Sequence, residues 1–371
     1  MRNVLITGAG GFIGKNLKAA LETYKDIRVY SYDVENSMGE MDEYIENIDF
    51  VFHLAGINRP DDVKGFETGN CGFTEKLLGM LYLKGKKVPV LLSSSIQAEK
   101  DNPYGISKKK AEDFVFEYGE KSGSKVLVYR LPNVFGKFCR PNYNSVVATW
   151  CYNIARGIPV QINDPDTLLN LVYIDDVIEE FVNALNGAEN RSIGGYCTIR
   201  RVFTVTLGQL ADQIYLFKET EGTIKIPSFE KDFDRFLYAT YTSYIPKEDM
   251  AYALDMKCDN RGWLAEFMKS KQTGQIFISR TKPGITRGNH WHHTKVEKFL
   301  VIEGEAVVRL RGINDTEVIE YKVSGDKLKV IDIPVGYTHS ISNTGDKDLI
   351  TVFWANEIFN PDVPDTYFME V

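Results

Sequence analysis

In the first half of the chain, short apolar segments alternate with segments whose apolar residues recur at helical spacing. This alternation predicts strands that are each followed by a helix, and such units build a parallel sheet covered on both faces. The expected fold of this half is an α/β, Rossmann-like, doubly wound parallel sheet. The predicted strands are residues 4–6, 28–32, 50–54, 88–92 and 125–129, and the predicted helices are 12–21, 104–118, 175–185 and 207–218.

From about Cys258 the pattern changes to short strands separated by glycine and polar turns. Many short strands with tight turns indicate an all-β barrel or jelly roll. A polar break between residues 243 and 256 separates the two patterns, and a chain of 371 residues is long enough for two hydrophobic cores. The predicted domains are therefore 1–246 and 247–371. The predicted strands of the second are 275–279, 297–302, 306–311, 318–323, 328–333 and 349–354.

Charge and hydropathy narrow the function classes. The formal net charge is −7, and the chain has no lysine-arginine run, so we expect no nucleic-acid partner. No segment approaches the roughly 20 apolar residues that cross a bilayer, and the N-terminal strand runs directly into glycines without the core of a signal peptide. We therefore expect no membrane partner and a cytoplasmic location.

A glycine-rich segment follows the first predicted strand and opens the first predicted helix. Glycines at this point let the backbone turn sharply and approach a pyrophosphate at the positive end of the helix. The sequence therefore predicts a dinucleotide site at this loop. Its residues are Gly8, Gly11, Phe12, Ile13 and Gly14.

Polar side chains end the second and third predicted strands. Asp33 is suited to accept a hydrogen bond from the ribose 2′-hydroxyl of NAD and to repel the 2′-phosphate of NADP, unless a cation such as Lys15 or Arg59 offsets it. A solvated loop acid is the alternative interpretation of Asp33. At the end of the third strand, we expect His53 to be a hydrogen-bonded structural residue rather than a catalytic one.

A second group of residues indicates acid-base chemistry. Tyr104 and Lys108 are four residues apart and share a helix face, so the lysine ammonium is expected to lower the pKa of the tyrosine. Ser95, at the end of an apolar strand, offers a hydroxyl that holds a reacting oxygen. We predict that Ser95, Tyr104 and Lys108 are catalytic, and that Tyr104 and Lys108 also contact the cofactor.

The first 245 residues resemble the extended short-chain dehydrogenase/reductase family. The resemblance rests on the glycine loop, the segment 53–55, Ser95, the Tyr104 and Lys108 pair, and the segments 130–136 and 173–177. It implies that the tyrosine exchanges a proton with a sugar oxygen while nicotinamide carries hydride. The residues it adds are Leu54 and Ala55 for the cofactor, and Asn133, Asn142 and Tyr143 for a nucleotide sugar. Ile96 and Gln97 replace the acidic pair of dehydratases, so dehydration is disfavoured.

Histidine and carboxylate residues near the C-terminus indicate a metal site. His290 and His292 flank one residue, so on a strand both imidazoles project from one face, and Glu297 and His339 can close the ring from neighbouring strands. Such ligands suit zinc, iron, manganese or nickel, and zinc is the expected divalent ion. His293 keeps an alternative open, in which the stretch is merely histidine-rich and an imidazole acts as a base without metal.

The spacing of these residues is similar to the two cupin motifs, with Gly325 as a displaced leading glycine of the second. The opening 259–262 followed by Glu266 also resembles 4-keto nucleotide-sugar 3,5-epimerase cupins, which implies that Arg261 binds phosphate. A turn arginine is the alternative interpretation. The residues that match the motifs are Gly284, His290, His292, Glu297 and Gly304, then Pro334, Gly336, His339 and Asn343.

The two halves together resemble bifunctional capsule-synthesis enzymes. The resemblance implies that the cupin domain epimerises C3 of a UDP-linked 4-keto-6-deoxy-N-acetylhexosamine and that the reductase domain reduces C4. The implied product is UDP-2-acetamido-2,6-dideoxy-L-talose, on the route to N-acetyl-L-fucosamine. NADPH is the implied cofactor, although Asp33 favours NADH, and a homodimer through the barrel is expected.

Two other functions stay open at the level of sequence. One is an NAD-dependent nucleotide-sugar 4-epimerase whose cupin only dimerises the protein. The other is a non-enzymatic sensor of nucleotide sugars. Net oxidation of added NADPH separates the proposed reductase from both.

Overall fold

A computed structural model describes residues 1–60, 62–192 and 194–371. It divides into two compact units. The first comprises Met1–Tyr215 and Asp232–Pro246, and the second comprises Leu216–Lys231 and Lys247–Val371.

The first unit is built on a parallel sheet with the strand order β2-β1-β3-β4-β5. The central strands are apolar and buried on both faces, as expected where helices cover a sheet. Its strands are β1 Arg2–Thr7, β2 Ile27–Tyr32, β3 Phe50–His53, β4 Val90–Ser95 and β5 Val126–Leu131. Its helices are α1 Phe12–Leu21, α2 Met38–Ile45, α3 Lys64–Phe66, α4 Phe73–Leu83 and α5 Pro103–Ser122.

A smaller sheet of order β6-β7-β8 extends this unit, with β6 parallel and β8 antiparallel to β7. Its strands are β6 Asn133–Phe135, β7 Leu168–Tyr173 and β8 Phe203–Thr206. Helices α6 Val146–Ala155, α7 Ile174–Leu185, α8 Leu207–Thr220 and α9 Asp232–Thr242 accompany it. The loop between β6 and α6 holds two of the residues predicted to bind substrate.

The second unit consists of two antiparallel sheets. Their strand orders are β16-β13-β18-β11-β10-β9 and β15-β14-β17-β12-β19. Inward-facing aliphatic and aromatic residues of both sheets form one core cluster. The strands are β9 Met256–Asp259, β10 Gly262–Ser270, β11 Gly274–Thr281, β12 Thr286–Trp291, β13 Glu297–Glu303, β14 Glu305–Gly312, β15 Ile319–Ser324, β16 Val330–Ile333, β17 Tyr337–Asn343, β18 Leu349–Ala355 and β19 Tyr367–Phe368.

The predicted fold class is confirmed, with a Rossmann-like parallel sheet followed by an antiparallel cupin-like domain. The chain passes between the units after Pro246, where the sequence break lies, but Leu216–Lys231 also belongs to the second unit. This segment hydrogen-bonds to β10 through the Ile226 amide and the Lys269 carbonyl, 2.9 Å apart. As functional domains, 1–246 and 247–371 stay a prediction. Within the described residues, no helix is both long and apolar enough to span a bilayer.

His53 is a structural residue, as the sequence interpretation expected. Its ring is fully buried, with Nδ1 2.7 Å from Thr7 Oγ1 and Nε2 2.7 Å from Thr74 Oγ1. The Thr74 hydroxyl donates its proton to the carbonyl of Asn70, so it accepts one from His53 Nε2, and Nδ1 accepts from Thr7. Burial, and secondarily the charge of Lys108, lowers the pKa of His53 to about 3. The imidazole is therefore neutral and joins β1 to α4.

The depressed pKa of His53 predicts a loss of stability on mild acidification. The folded-state pKa of about 3 lies below the ordinary value of 6.5, so the unfolded chain takes up this proton first. Stability is therefore complete above pH 6.5 and falls as the pH decreases. Between pH 7 and pH 5 this group alone should cost about 2 kcal/mol.

Urea unfolding of the full chain at both pH values measures this cost. The variant His53→Gln should be less stable at pH 7 but should lose about 2 kcal/mol less than wild type on going to pH 5. An equal loss in wild type and variant would mean that His53 is not held neutral.

Candidate functional site

The glycine loop of the first unit brings backbone atoms too close together for larger residues. Gly8 has a φ of +70°, and a Cβ there would lie 2.8 Å from the Cα of Ala55. A Cβ on Gly14 would lie 2.2 Å from the Gly8 carbonyl oxygen, so only glycine lets α1 begin this close to β1. Phe12 and Ile13 begin α1 beside this turn. The loop fits the pyrophosphate of a dinucleotide, because its glycines leave the backbone amides at the N-terminus of α1 free of bulky side chains.

Asp33 lies against this loop, directly after β2. Its Oδ2 accepts a hydrogen bond of 2.6 Å from the Gly10 amide, and its Oδ1 accepts one of 2.9 Å from the Val34 amide. A Cβ on Gly10 would come within 2.8 Å of Asp33 Oδ2. The carboxylate is thus hydrogen-bonded to the glycine loop, and an acid that follows the second strand of such a fold is the residue that contacts the ribose of NAD.

Tyr104 and Lys108 lie on the first turns of α5, which begins abruptly. Asn102 caps the helix by accepting from the Gly105 amide at 2.8 Å, and Pro103 occupies its first position. A Cβ on Gly105 would lie 2.3 Å from the Gln97 carbonyl oxygen, so glycine lets the helix start pack on the turn that follows β4. That turn begins at Ser95, and the structure therefore brings Ser95 to Tyr104.

The electrostatics of this group differ from the sequence interpretation in one respect. Burial raises the pKa of Tyr104, and a side-chain hydrogen bond with Ser95 lowers it by less. The Lys108 Nζ donates a hydrogen bond to the carbonyl oxygen of Ser93 at 3.0 Å. Burial also lowers the pKa of Lys108 to about 8, against the opposing charge of Glu112. At neutral pH the phenol carries its proton and can donate it.

A buried carboxylate on the same helix anchors α5 to the sheet. Glu112 is fully buried and accepts from Ser94 Oγ at 2.6 Å, from Arg130 Nε at 2.9 Å and from Arg130 Nη2 at 2.6 Å. The Tyr196 hydroxyl donates to it at 3.1 Å and its ring lies under the guanidinium. These bonds connect α5 to β4 and β5 and set the position from which Tyr104 and Lys108 project.

Three of the residues predicted to bind the nucleotide sugar lie on β6 or in the loop between β6 and α6. Asn133 begins β6 and is exposed, and exposed Asn142 has a φ of +56° with its amide bonded to Thr149 Oγ1 at 3.0 Å. Tyr143 lies close enough to Tyr104 for its charge to raise the pKa of that phenol. The sequence interpretation did not include Phe138, which has a φ of +70° and an exposed ring in the same loop.

In the second unit, the four predicted ligand residues converge. His290 lies on β12 opposite His339 on β17, next to a bulge at Gly288, while His292 follows β12 and Glu297 begins β13. Their candidate ligand atoms all lie within 4.8 Å of one another. His292, Glu297 and His339 are buried, and His290 is half-buried.

The donor atoms of this cluster lack partners of their own. Glu297 Oε2 lies 3.3 Å from His292 Nε2 and 3.1 Å from His339 Nε2, but the contacts do not have hydrogen-bond geometry and all three buried atoms are unsatisfied. The Nδ1 atoms of the two histidines face the carbonyl oxygens of Asp365 and Tyr337, which can only accept. Each Nε2 therefore presents a lone pair, and two imidazoles and a carboxylate aimed at one point fit a divalent cation.

Charge in the cluster is consistent with this interpretation. Burial and then His339 lower the pKa of His290 to about 4. Imidazole binds metal in its neutral form, so the lowered pKa of His290 is compatible with a metal site.

Arg261 belongs to a different local structure. Its guanidinium Nε lies 2.8 Å from Asp259 Oδ2, and its amide bonds the other oxygen of the same carboxylate at 2.8 Å, in the turn between β9 and β10. The side chain of Arg261 is thus paired with Asp259, two residues before it in sequence, and its phosphate role stays a prediction.

Two protein-family models match this chain, one within each structural unit. Residues 4–195 match the NAD dependent epimerase/dehydratase family, and residues 257–367 match the polysaccharide biosynthesis C-terminal domain.

Similar proteins extend the match to the whole chain. A UDP-2-acetamido-2,6-beta-L-arabino-hexul-4-ose reductase of Pseudomonas aeruginosa is 41% identical over 99% of this chain and 98% of its own length. The crystal structure of the capsular polysaccharide assembling protein CapF from Staphylococcus aureus has a TM-score of 0.93 and 49% identity, with 100% of each chain covered.

A more distant structure matches in fold. The UDP-glucuronic acid 4-epimerase from Bacillus cereus, solved with NAD, has a TM-score of 0.56 at 20% identity over 66% of this chain and 98% of its own. It shares the fold of the first unit's family. The chain itself is an enzyme of the NAD dependent epimerase/dehydratase family and, over its whole length, of the CapF-like capsule enzymes, which bind NAD(P).

Proposed function

We propose that the chain is a bifunctional nucleotide-sugar enzyme of capsular polysaccharide synthesis. Its second unit epimerises C3 of a UDP-linked 4-keto-6-deoxy-N-acetylhexosamine, and its first unit reduces C4 to give UDP-2-acetamido-2,6-dideoxy-L-talose. The observation that carries the proposal is that each unit brings its own predicted reactive residues together, Tyr104 with Ser95 in the first and the four candidate ligands in the second. Full-length similarity to a UDP-linked hexulose reductase supports the substrate class.

The reduction uses a protonated acid beside the carbonyl. A reduced nicotinamide supplies the hydride when it is bound. Tyr104 donates its proton to the C4 oxygen, and the burial that raises its pKa keeps that proton available at neutral pH. Ser95 holds the same oxygen, because its hydroxyl is already bonded to Tyr104. The Lys108 ammonium, hydrogen-bonded to the Ser93 carbonyl, would hold a ribose hydroxyl of the bound cofactor.

The epimerisation depends on the acidity of a carbon next to the ketone. Removing the C3 proton and returning it to the opposite face inverts that carbon. A bound divalent ion, with zinc as the proposed species, would supply the positive charge that makes this proton easier to remove. His290, His292, Glu297 and His339 would hold the ion, and the unsatisfied lone pairs of three of them support this assignment.

Two features of the chain favour different reduced cofactors. The resemblance to capsule reductases favours NADPH, whereas the Asp33 carboxylate at the glycine loop favours NADH. We propose NADPH as the working cofactor and a homodimer through the second unit as the assembly.

An NAD-dependent 4-epimerase with a structural cupin is the second candidate, and Asp33 is the observation in its favour. Oxidation of added NADPH or NADH in proportion to product formed excludes it, since a 4-epimerase returns its hydride to the sugar.

Replacement of Tyr104 tests the separation of the two sites. In Tyr104→Phe the C4 oxygen loses its proton donor, so oxidation of NADPH with the keto sugar should fall by about 10²-fold or more. Exchange of the C3 proton in D2O should continue at the wild-type rate, since the second unit is unchanged. The control Tyr118→Phe removes a hydroxyl of the same helix that bonds to the Val88 carbonyl, and it should retain both activities.

Cofactor oxidation followed at 340 nm and NMR of the recovered sugar measure the two activities. Loss of both activities in Tyr104→Phe would contradict separate sites.

Replacement of His339 tests the metal role. The variant His339→Gln should lose most of the bound zinc and at least about 10-fold in the rate of C3 exchange, because a buried ligand lone pair is removed. His293→Gln is the matched control, since His293 follows a ligand in sequence but is exposed and outside the cluster. Metal content by mass spectrometry and exchange in D2O are measured on the same samples. Undiminished exchange in wild-type protein stripped of metal would favour a metal-free imidazole base instead.

A further inference from the structure

We propose that Asp365 is a positioning residue that fixes His292 for metal binding, through a C-terminal strap formed by residues 364–370. The inference rests on the proposed function, in which His292 is a ligand. Asp365 lies 73 residues from His292 in sequence and is itself outside the four-residue ligand cluster.

The strap is attached to the sheet that carries two of the ligands. Its strand β19 pairs antiparallel with β12, which places Phe368 opposite His290. Beyond β19, the Met369 amide donates to the Asn289 carbonyl at 3.0 Å, and Thr338 Oγ1 donates to the Met369 carbonyl. Arg311 Nη2 donates to the Glu370 carbonyl at 2.8 Å. The end of the strap is thus held by residues of β12, β14 and β17.

The side chain of Asp365 holds the beginning of the strap. Its two carboxylate oxygens accept the amides of three successive residues, His293 at 2.8 Å, Thr294 at 2.8 Å and Lys295 at 3.0 Å, together with Thr294 Oγ1 at 3.1 Å. Residues 356–366 have no regular secondary structure, so sheet pairing does not fix this part of the chain. We infer that these four hydrogen bonds of the carboxylate help to fix the position of the Asp365 backbone.

The backbone of Asp365 in turn fixes the His292 ring. Its carbonyl oxygen accepts from His292 Nδ1 and, at 3.4 Å, from Nζ of the buried Lys295. A carbonyl cannot donate, so the ring carries its proton on Nδ1 and directs the Nε2 lone pair toward Glu297. Without this contact the ring would be free to take the other tautomer and to rotate, and both states are unsuited to share an ion with Glu297 and His339.

Metal affinity tests this role, since a ligand that must first be ordered binds more weakly. In metal-free full-length protein, Asp365→Ala should weaken binding of Zn²⁺ and Co²⁺ by about 10- to 100-fold and change the visible absorption of the Co²⁺ form. Asp365→Asn should lie between this variant and wild type, because its amide oxygen still accepts backbone amides. The control is Asp362→Ala, which changes an exposed acid two residues before the strap begins. This variant should match wild type.

Three outcomes would overturn the inference. The first is that both Asp365 variants bind metal with wild-type affinity and give an unchanged Co²⁺ spectrum. The second is that the metal-free variants have a lower thermal midpoint but unchanged metal affinity, which would show that Asp365 only stabilises the fold. An equal weakening in Asp362→Ala would remove its specificity. If Asp365→Ala does not fold, Asp365→Asn decides. Failure of the wild-type protein itself to bind Zn²⁺ or Co²⁺ would instead contradict the proposed metal role.

Discussion

The buried carboxylate of Glu297 is the group on which the second unit's site depends. Burial of a charge without a well-formed partner costs several kcal/mol. Its Oε2 has two imidazole nitrogens within 3.3 Å, but those nitrogens present lone pairs because their other ring atoms face carbonyl oxygens. A cation bound among the three atoms would offset this cost, and this is the physical basis of the metal site that we propose.

In the first unit, by contrast, the reactive groups must stay available for catalysis and are not used to stabilise the fold. Glu112 is buried with a full set of partners, and this network fixes α5 to the sheet without using Tyr104 or Lys108. Burial then raises the pKa of Tyr104 and lowers that of Lys108. The phenol is thereby kept protonated, which suits donation of a proton to a carbonyl oxygen during reduction.

Local patterns made the fold and most of the candidate residues predictable. The glycine loop, the Tyr104 and Lys108 spacing and the pair His290 and His292 each lie within a few residues, and α1 has the bounds that its periodicity predicted. Helix α6 was missed, because a helix buried on several sides shows no polar face to mark its period. The role of Asp365 was also missed, since no local pattern joins it to residues 293–295, and the lower pKa expected for Tyr104 was wrong because burial outweighs its neighbours.

We propose that one ketone is used twice, first to acidify C3 and then to accept hydride at C4. Reduction of the UDP-linked 4-keto sugar in D2O, with NADPH deuterated at the transferred position, tests both steps in one product. The account predicts one deuterium at C3 from solvent and one at C4 from the cofactor, located by NMR and counted by mass spectrometry. A product labelled at C4 alone, or at neither carbon, would contradict it.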